Sequence, residues 1–239
     1  MRLGLVPGLA ALSRVRGHTF LDLGLDSGSV LIDAGAHRGE FSRVLFDRYG
    51  CRCFLVEPDP GLSADLKGKG FGVTIAGALG GKDGRAAFFV RTNPEASGLL
   101  TRLSAGAPRT VIEVDVIALP TLLQVQAIDE VALLKLDIEG SEFDVLMDMP
   151  GETLARIAQI SVEFHGFVDA PSERFRAVRR RLAGFGFVCC PIAFRAHGDV
   201  LFLNRHRFDI GMAATAGLPA ASRFVIKSRE IVGWMSARR

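Results

Sequence analysis

The sequence predicts a doubly wound α/β fold, with a mostly parallel sheet that has an antiparallel end. Two apolar runs, Val30–Ile32 and Val131–Leu136, have the composition of buried parallel strands. The first run is followed by glycines and by Glu40–Tyr49, whose apolar residues recur with helical spacing. Phe185–Cys190 and Asp199–Leu203 have the pattern of a closing strand pair. Strands that alternate with helices are typical of a sheet covered by helices on both faces.

The other elements are predicted from apolar patterning between turn residues. Further strands are predicted at Cys53–Val56, Phe71–Ala76, Ala86–Arg91, Thr110–Val116 and Ala158–Phe164. Further helices are predicted at Leu62–Lys67, Leu119–Val125, Glu142–Met149 and Ser172–Leu182. Residues 92–108 are rich in glycine, serine and proline, and loops of this length are typically functional or mobile. Ser97 and Gly98 are therefore expected over the site.

The predicted α/β domain occupies residues 29–208. Residues 1–28 are expected to form a helical segment and a loop, because Leu9, Leu12 and Val15 have helical spacing and Gly17 follows as a stop. Residues 209–239 form a tail whose apolar end has the composition of an amphipathic helix. This tail could rest on a membrane surface, but packing on the domain or pairing with a second copy as a homodimer is preferred.

Length, composition and charge limit the class of protein. A chain of 239 residues with 49% hydrophobic residues is long enough for one α/β domain with a sizeable core. The net charge of +3 is too small to indicate a nucleic acid partner. Pro7, Arg14 and Arg16 interrupt the apolar N-terminus, so neither a signal peptide nor a membrane span is predicted. The four cysteines lack zinc-site spacing and a secreted disulfide pattern, so a cytoplasmic location is expected.

The turn after the first strand indicates which nucleotide the fold would bind. A dinucleotide site has the pattern G-x-G-x-x-G, which presents bare backbone N–H groups to a pyrophosphate. This chain has D-A-G-A-H-R-G, with Asp33 before the turn and Glu40 after it. Two carboxylates would repel a pyrophosphate, but they would attract the sulfonium and ammonium groups of S-adenosylmethionine. Glu57, at the end of the next strand, has the place of an acid that binds ribose hydroxyls.

Polar residues also follow the other predicted strands. Asp33, Glu57, Asp137 and His165 all lie at predicted strand ends. Ligands of open α/β sheets bind beyond the carboxyl ends of the strands, where the strand order switches. The sequence therefore predicts that these four side chains converge on one site.

Five motifs occur in order between about Val30 and Asn204: I-D-A-G-A-H-R-G, L-V-E-P, V-D-V-I-A-L, K-L-D-I-E-G-S-E and I-S-V-E-F-H. Together they resemble the FkbM family of S-adenosylmethionine-dependent methyltransferases. The resemblance implies a class I methyltransferase fold, Rossmann-like and with a seven-stranded sheet, over the α/β domain. It also implies transfer of a methyl group, typically to a hydroxyl oxygen.

The resemblance implies roles for individual residues as well. The residues expected to bind the donor are Asp33, Gly35, Ala36, Gly39, Glu57, Pro58 and Asp137. Asp33 and the two glycines would line the methionine end, and Glu57 would bind the ribose diol. Asp137 would lie near the amino-acid end of the donor, with Glu139 and Glu142 behind it.

Methylation of an alcohol needs a group that removes its proton, so a general base or a metal is expected near the acceptor. His165 is the first candidate, because it follows a strand end and its reference pKa of about 6.5 suits a base; a histidine satisfied by packing is the alternative. Asp137, Glu139 and Glu142 are the second candidate, as carboxylate bases or as ligands of a divalent cation. No metal is predicted, because Glu142 and Asp144 can instead complement a helix dipole.

The sequence thus predicts an S-adenosylmethionine-dependent O-methyltransferase acting on a small molecule or a glycan. An NAD-linked oxidoreductase and a non-catalytic nucleotide-binding module of the same fold remain as alternatives. The arginines between Arg174 and Arg181 could recognise an anionic acceptor. A solvated helix face is preferred, because the arginines are spread around the helix.

Overall fold

The structure, a computed structural model, describes residues 12–90, 99, 110–165, 173–192 and 198–208. The strands are β1 (Leu12–Val15), β2 (His18–Leu21), β3 (Val30–Ala34), β4 (Arg52–Glu57), β5 (Gly72–Ala76), β6 (Ala78–Gly80), β7 (Gly84–Val90), β8 (Thr110–Ala118), β9 (Leu133–Leu136), β10 (Gln159–Glu163), β11 (Phe187–Pro191) and β12 (Asp199–Asn204). The helices are α1 (Glu40–Tyr49), α2 (Pro60–Lys69), α3 (Leu119–Val125), α4 (Glu142–Asp148), α5 (Gly151–Ala155), α6 (Glu173–Gly184) and α7 (Arg205–Phe208).

Seven strands form the central sheet, in the order β11-β12-β10-β9-β3-β4-β5. The strands from β10 to β5 are parallel, whereas β12 is antiparallel to both β10 and β11. The predicted doubly wound, mostly parallel sheet with an antiparallel end is confirmed. From β3 the chain continues to β4 and β5, and from β9 it continues the other way to β10. The strand order therefore switches between β3 and β9.

Helices cover both faces of this sheet, which explains why its central strands are apolar without alternation. Leu31 of β3 packs with Phe41 of α1 on one face. Ile32 faces the other side, in the core that contains Leu122 of α3 and Leu146 of α4. Each such side chain contributes about 1.5–3 kcal/mol when fully buried. These contacts hold β3 in the centre of the sheet and so position the turn that follows it.

A second sheet has three strands in the order β6-β8-β7. The two predicted strands β7 and β8 pair with each other in antiparallel fashion, and β6, which the sequence did not predict, runs parallel to β8. Ala78 and Leu79 of β6 and Phe88 of β7 are buried. This small sheet supplies an apolar wall near the carboxyl end of β4.

Pro150 begins a helix as well as following one. The predicted helix ends at Met149, and α4 ends one residue earlier. The carbonyl of Pro150 then accepts hydrogen bonds from the N–H groups of Thr153 and Leu154, which opens α5. The fixed φ of proline is compatible with a helix start, so the sequence signal marks both boundaries.

The prediction of an N-terminal helix is wrong over the described residues. Leu12–Val15 and His18–Leu21 pair as an antiparallel hairpin. Its turn is formed by Arg16 and Gly17, whose φ values of 49° and 87° suit the twist of hairpin strands. The first and last leucines of the hairpin pack on the core beside β11 and β12, and this packing outweighs the helical spacing of the apolar residues. Residues 1–11, which include Leu9, lie outside the described part.

Two other predictions concern residues that the structure does not describe. These are most of the loop at 92–108, including Ser97 and Gly98, and the tail at 209–239. Within the described ranges, no helix has the length and apolar character needed to span a membrane.

Candidate active site

A pocket of about 700 Å³ opens at the carboxyl ends of β3, β4, β9 and β10. It lies at the strand-order switch, where ligands of open α/β sheets bind. Its volume is typical of small-molecule sites, which range over about 300–1,000 Å³. The predicted site residues that line it are Gly35, Ala36, Glu57, Pro58, Asp137, Glu139 and His165.

The turn after β3 is held by contacts with the backbone of β4 on one side and with the residue that follows β9 on the other. Gly35 has a φ of 73°, and a Cβ at this position would lie 1.8 Å from the carbonyl oxygen of Asp137. Only glycine fits there without moving the backbone. The N–H groups of Gly35 and Ala36 both donate to the carbonyl of Val56, at 3.0 and 3.1 Å. The turn therefore lines the pocket with backbone that is fixed on both sides.

Glu57 is a buried carboxylate at the edge of the pocket. One oxygen, Oε2, accepts the N–H of His37 at 2.7 Å, and the other, Oε1, accepts the N–H of Asp59 at 2.9 Å. Burial raises the pKa of Glu57 to about 7, although these two hydrogen bonds oppose the shift. The two donors fix the orientation of the carboxylate, and each oxygen keeps a lone pair for another hydrogen bond.

Asp33 lies beneath the pocket rather than in its lining. It is 0% exposed, and it accepts a hydrogen bond from the Ser42 hydroxyl at 2.5 Å. Its Oδ1 lies 3.0 Å from Nζ of Lys135, the residue opposite it in the β3–β9 register. Lys135 also donates to the carbonyl of Gly35 at 2.7 Å. The ion pair thus braces the glycine turn from below.

Gly39 is not part of the pocket lining either. Its φ is 73°, and a Cβ would approach Leu66 to 2.7 Å and Phe71 to 3.0 Å. The glycine is needed because α1 begins here against packed apolar side chains. Its place is structural, in contrast to the donor contact that the resemblance implies.

The structure brings three of the candidate catalytic residues, His165, Asp137 and Glu139, together in the pocket. The Nε2 atom of His165 lies 3.4 Å from Oε1 of Glu139 and 3.7 Å from Oδ1 of Asp137. The other oxygen of Asp137, Oδ2, lies 3.5 Å from Nζ of Lys135. All three residues line the pocket. Opposite Glu57, the pocket therefore ends in a cluster of two carboxylates and one imidazole.

A family model described as the methyltransferase FkbM domain matches residues 33–189, more than half of the chain. The chain belongs to the FkbM methyltransferase family. The family that the sequence motifs indicate is thus confirmed.

Solved structures similar to this FkbM-family chain are methyltransferases of low sequence identity. Methyltransferase FkbM from Methylobacillus flagellatus KT has 15% identity and a TM-score of 0.47, and the match covers 77% of this chain but only 46% of that one. Precorrin-6y C5,15-methyltransferase from Geobacter metallireducens GS-15 has 12% identity and a TM-score of 0.38, with 75% and 80% covered. A methyltransferase from Pyrococcus furiosus has 10% identity and a TM-score of 0.38, with 75% and 77% covered. No curated protein gives a significant match.

In this FkbM-family chain a buried carboxylate organises the loop after β9. Glu142 is 0% exposed, and its Oε1 accepts the N–H groups of Ile138 and Gly140, at 3.1 and 3.0 Å. The same oxygen lies 2.9 Å from Nδ1 of His165. Glu139, between the two donors, has a φ of 53°, which is uncommon for a residue other than glycine. Glu142 therefore fixes both the loop and the imidazole, beyond any effect on the α4 dipole.

The cluster changes the protonation states of its members. Burial by itself lowers the pKa of His165, but the hydrogen bond to Glu142 and the charges of Glu142, Glu139 and Asp137 raise it to about 9. Burial, together with the charges of Asp137, Glu142 and Glu163, raises the pKa of Glu139 to about 7 despite the opposing charge of His165. The pKa of His165 thus lies above the reference value that suits a base, and the role of His165 as the base stays a prediction. Glu139 is the member that titrates near neutral pH.

Sequence reasoning missed several polar residues that line this FkbM-family pocket, and three of them lie beside Asp137: His18, Lys135 and Glu163. A lysine inside an apolar strand is a usable signal, because a buried ammonium needs a partner. Glu163 shares its strand end with His165, so it could also have been found. His18 gave no signal, because its position depends on a hairpin that was not predicted.

Two sets of described side chains have donor atoms within 4.8 Å of one another: His18, Asp137 and Glu163, and Asp137, Glu139 and His165. These imidazole and carboxylate donors are of the kind that divalent cations use. Asp137 belongs to both sets, and its Oδ2 also lies 3.5 Å from Nζ of Lys135. The sequence-based expectation of no metal stays a prediction.

The arginines of α6 lie away from the pocket lining. Arg174 pairs with Asp144 at 2.5 Å, and Arg176 pairs with Glu173 at 3.0 Å, in each case between exposed side chains. Arg181 instead donates to backbone carbonyls of the α4 segment. These contacts support a helix face that is solvated and paired, in preference to an acceptor site.

Proposed function

We propose that this chain is an S-adenosylmethionine-dependent methyltransferase that methylates a hydroxyl group of a small molecule or a carbohydrate. The observation that carries the proposal is a single pocket with Glu57 at one end and the cluster of Asp137, Glu139 and His165 at the other. Such a pocket offers a place for a nucleoside beside a place for a hydroxyl that must lose its proton. Membership of the FkbM methyltransferase family supports methyl transfer as the reaction.

The residues around the turn fit the methyl donor. Gly35 allows the turn to pack directly against the backbone of Asp137, so the pocket is lined there by backbone and not by a side chain. The carboxylate of Glu57, held by two backbone N–H groups, is oriented to accept hydrogen bonds from ribose hydroxyls. Phe88, on the wall supplied by the small sheet, suits a flat purine ring.

Charge supports the same donor, although not through Asp33. The charge of Asp33 is compensated by Lys135 beneath the pocket. Burial alone would raise the pKa of Asp137, but the charge of Lys135 and the hydrogen bond to His18 lower it well below its usual range. Asp137 is therefore a permanent carboxylate in the pocket. Such a charge attracts a sulfonium or an ammonium and repels the pyrophosphate of NAD.

The chain's own residues position the acceptor and take up its proton. When bound, S-adenosylmethionine supplies a methyl carbon that the acceptor oxygen attacks as the carbon–sulfur bond breaks. Glu139 fits the role of base, because a pKa of about 7 allows it to be ionised at neutral pH and still accept a proton. The protonated His165, held by Glu142, stabilises negative charge on the oxygen as the proton leaves.

Replacing Glu57 by glutamine tests where the donor binds. We expect the affinity for S-adenosylhomocysteine, measured by isothermal titration calorimetry, to fall about 10- to 100-fold, because hydrogen bonds to a charged group are worth about 1.5–3 kcal/mol. Glu113→Gln, at an exposed carboxylate of β8, is the matched control and should bind as the wild type does. Wild-type protein that shows no binding heat would contradict the proposed function itself.

The same titration should depend on pH. The ionised form of Glu57 is the better acceptor for hydroxyl groups, and burial raises its pKa to about 7. Affinity should thus be greatest above pH 7 and should fall by up to about tenfold per pH unit below it. Glu139 titrates in the same range, so the variants separate the two groups. Glu139→Gln should keep the pH dependence, and Glu57→Gln should lose it.

A further inference from the structure

The hairpin formed by β1 and β2 lies outside residues 33–189, yet it contributes to the pocket. Its turn residues Arg16 and Gly17, and then His18, line the pocket near the catalytic cluster. A Cβ on Gly17 would lie 3.9 Å from Oε2 of Glu163. The hairpin thus forms a wall at the end of the pocket opposite Glu57.

Buried polar contacts fix the hairpin on the sheet. Thr19 donates to Asp199 of β12 twice, from its N–H at 3.1 Å and from its hydroxyl at 2.6 Å. The side chain of Gln159 in β10 exchanges two hydrogen bonds with the backbone of Leu21, both at 2.8 Å. Thr19, Gln159 and Asp199 are all buried. Because such bonds are directional and costly to break in the interior, they fix the position of His18, which adjoins Thr19.

His18 is 1% exposed, and its ring packs edge-on against Phe41, with 5.6 Å between ring centroids. Its Nε2 lies 3.3 Å from Oδ2 of Asp137 and 3.9 Å from Oε2 of Glu163. Lys135 lies 3.5 Å from the same Oδ2. Two groups from different strands therefore hold one oxygen of Asp137. The other oxygen, Oδ1, is left facing His165.

We propose that His18 is a positioning residue of the reaction, which the hairpin delivers to hold Asp137 so that its Oδ1 faces the bound acceptor. Lys135 alone does not define this orientation, because its ammonium is shared with Asp33 and the Gly35 carbonyl. The hairpin is accordingly part of the active site, although it lies outside the matched domain. The role of Asp137 toward an acceptor rests on the proposed function, whereas the contact with His18 does not.

The first test compares His18→Phe with His18→Gln. Phenylalanine fills the buried space without a hydrogen bond, and glutamine keeps an N–H donor. With labelled S-adenosylmethionine and a cell-extract fraction that the wild type methylates, His18→Phe should lower kcat about 10- to 100-fold, because small misplacements of catalytic groups cost that much. His18→Gln should recover at least part of the loss. Both variants should bind S-adenosylhomocysteine within about threefold of wild type; an unchanged kcat in His18→Phe would overturn the proposal.

A structural role for His18 is tested with Thr19→Val. This variant removes the hydroxyl bond to Asp199, whereas the N–H bond of residue 19 to Asp199 and the two bonds between Leu21 and Gln159 still hold the hairpin and His18 in place. If its loss of Tm equals that of His18→Phe and its kcat falls as far, the effect is general loosening and the proposal is wrong. We expect Thr19→Val to keep most of the wild-type kcat.

Imidazole NMR provides a readout that needs no acceptor. The groups facing the His165 ring are Asp137, Glu139 and Glu142, so moving Asp137 changes the titration of His165. The midpoint of His165 should differ between wild type and His18→Phe and should be unchanged in Thr19→Val. A midpoint that does not move in His18→Phe would refute the positioning role even if the donor binds. Absence of donor binding with a shifted midpoint would instead refute the proposed function alone.

Discussion

Replacing Lys135 by methionine should destabilise the protein by about 3–5 kcal/mol, because removing one partner of a buried ion pair leaves the other charge uncompensated. The fully buried charge that remains is Asp33, which is 0% exposed and whose Oδ1 lies 3.0 Å from the lysine Nζ. Asp137, the other carboxylate beside Lys135, is partly exposed and keeps its contact with His18. The variant also removes the donor to the Gly35 carbonyl. Equilibrium unfolding in urea, followed by circular dichroism, measures the loss as a lower transition midpoint.

Two further variants separate charge from lost packing. Lys69→Met removes an exposed lysine that lies 3.0 Å from Asp65, and it should change stability by no more than about 1 kcal/mol. Asp33→Asn combined with Lys135→Met should cost less than the sum of the single changes, because the orphaned carboxylate is gone. A Lys135→Met protein that unfolds at the wild-type midpoint would show that the pair does not hold the turn.

The main sheet could be predicted from the sequence because its strands are buried on both faces and are therefore continuously apolar. Glu40–Tyr49 and Leu119–Val125 are helices with the predicted bounds, since both combine an apolar face with a clear start. The hairpin at Leu12–Leu21 could not be predicted in this way. Its strands are only four residues long, and the side chains that hold them on the sheet belong to β10 and β12, far along the sequence.

The location of the site could be predicted from the sequence, but the charges of its residues could not. The carboxyl ends of parallel strands meet at one edge of a sheet, so Glu57, Asp137 and His165 converge as expected. Their charges depend on neighbours that the sequence does not order in space. Asp33 forms an ion pair with Lys135 because the two residues are opposite each other in the register, and a shift of one residue would have placed an apolar side chain there.

The protonation of His165 shows the same limit. A reference pKa suits a base only if the surroundings resemble water, whereas this imidazole contacts Glu142, Glu139 and Asp137. These carboxylates come from a loop that Glu142 shapes through backbone contacts. The neighbouring carboxylates raise the pKa of His165, which keeps the imidazole charged. Burial and nearby charges raise the pKa of Glu139 to about 7, so Glu139 suits the role of base that the sequence first assigns to His165.

Membership of the FkbM methyltransferase family argues against the alternative of an NAD-linked oxidoreductase. The remaining alternative is a module that binds the donor but transfers nothing. A module of that kind would need the turn and Glu57 but would have no use for a base at the other end of the pocket. Glu139 is therefore the residue that separates the two possibilities.

Replacing Glu139 by glutamine should lower kcat for methyl transfer about 10²- to 10⁴-fold, which is the usual contribution of a general base. Glutamine has nearly the same shape but cannot take the acceptor proton. Labelled S-adenosylmethionine with the extract fraction that the wild type methylates gives the rate. Binding of S-adenosylhomocysteine should change little, so the loss falls on kcat rather than on donor affinity. Glu152→Gln, at an exposed carboxylate of α5, is the matched control.

The pH dependence of the methyl-transfer rate tests the same role of Glu139. The active form of Glu139 is the carboxylate, and burial raises its pKa to about 7. The wild-type rate at saturating donor should therefore rise with pH through about 7, and it should fall by up to tenfold per unit below that. In Glu139→Gln the residual rate should no longer fall as the pH drops below about 7. If Glu139→Gln transfers methyl groups at the wild-type rate with the same pH profile, the base is another residue of the cluster. If wild-type protein binds the donor but methylates no extract fraction, the non-catalytic module is favoured.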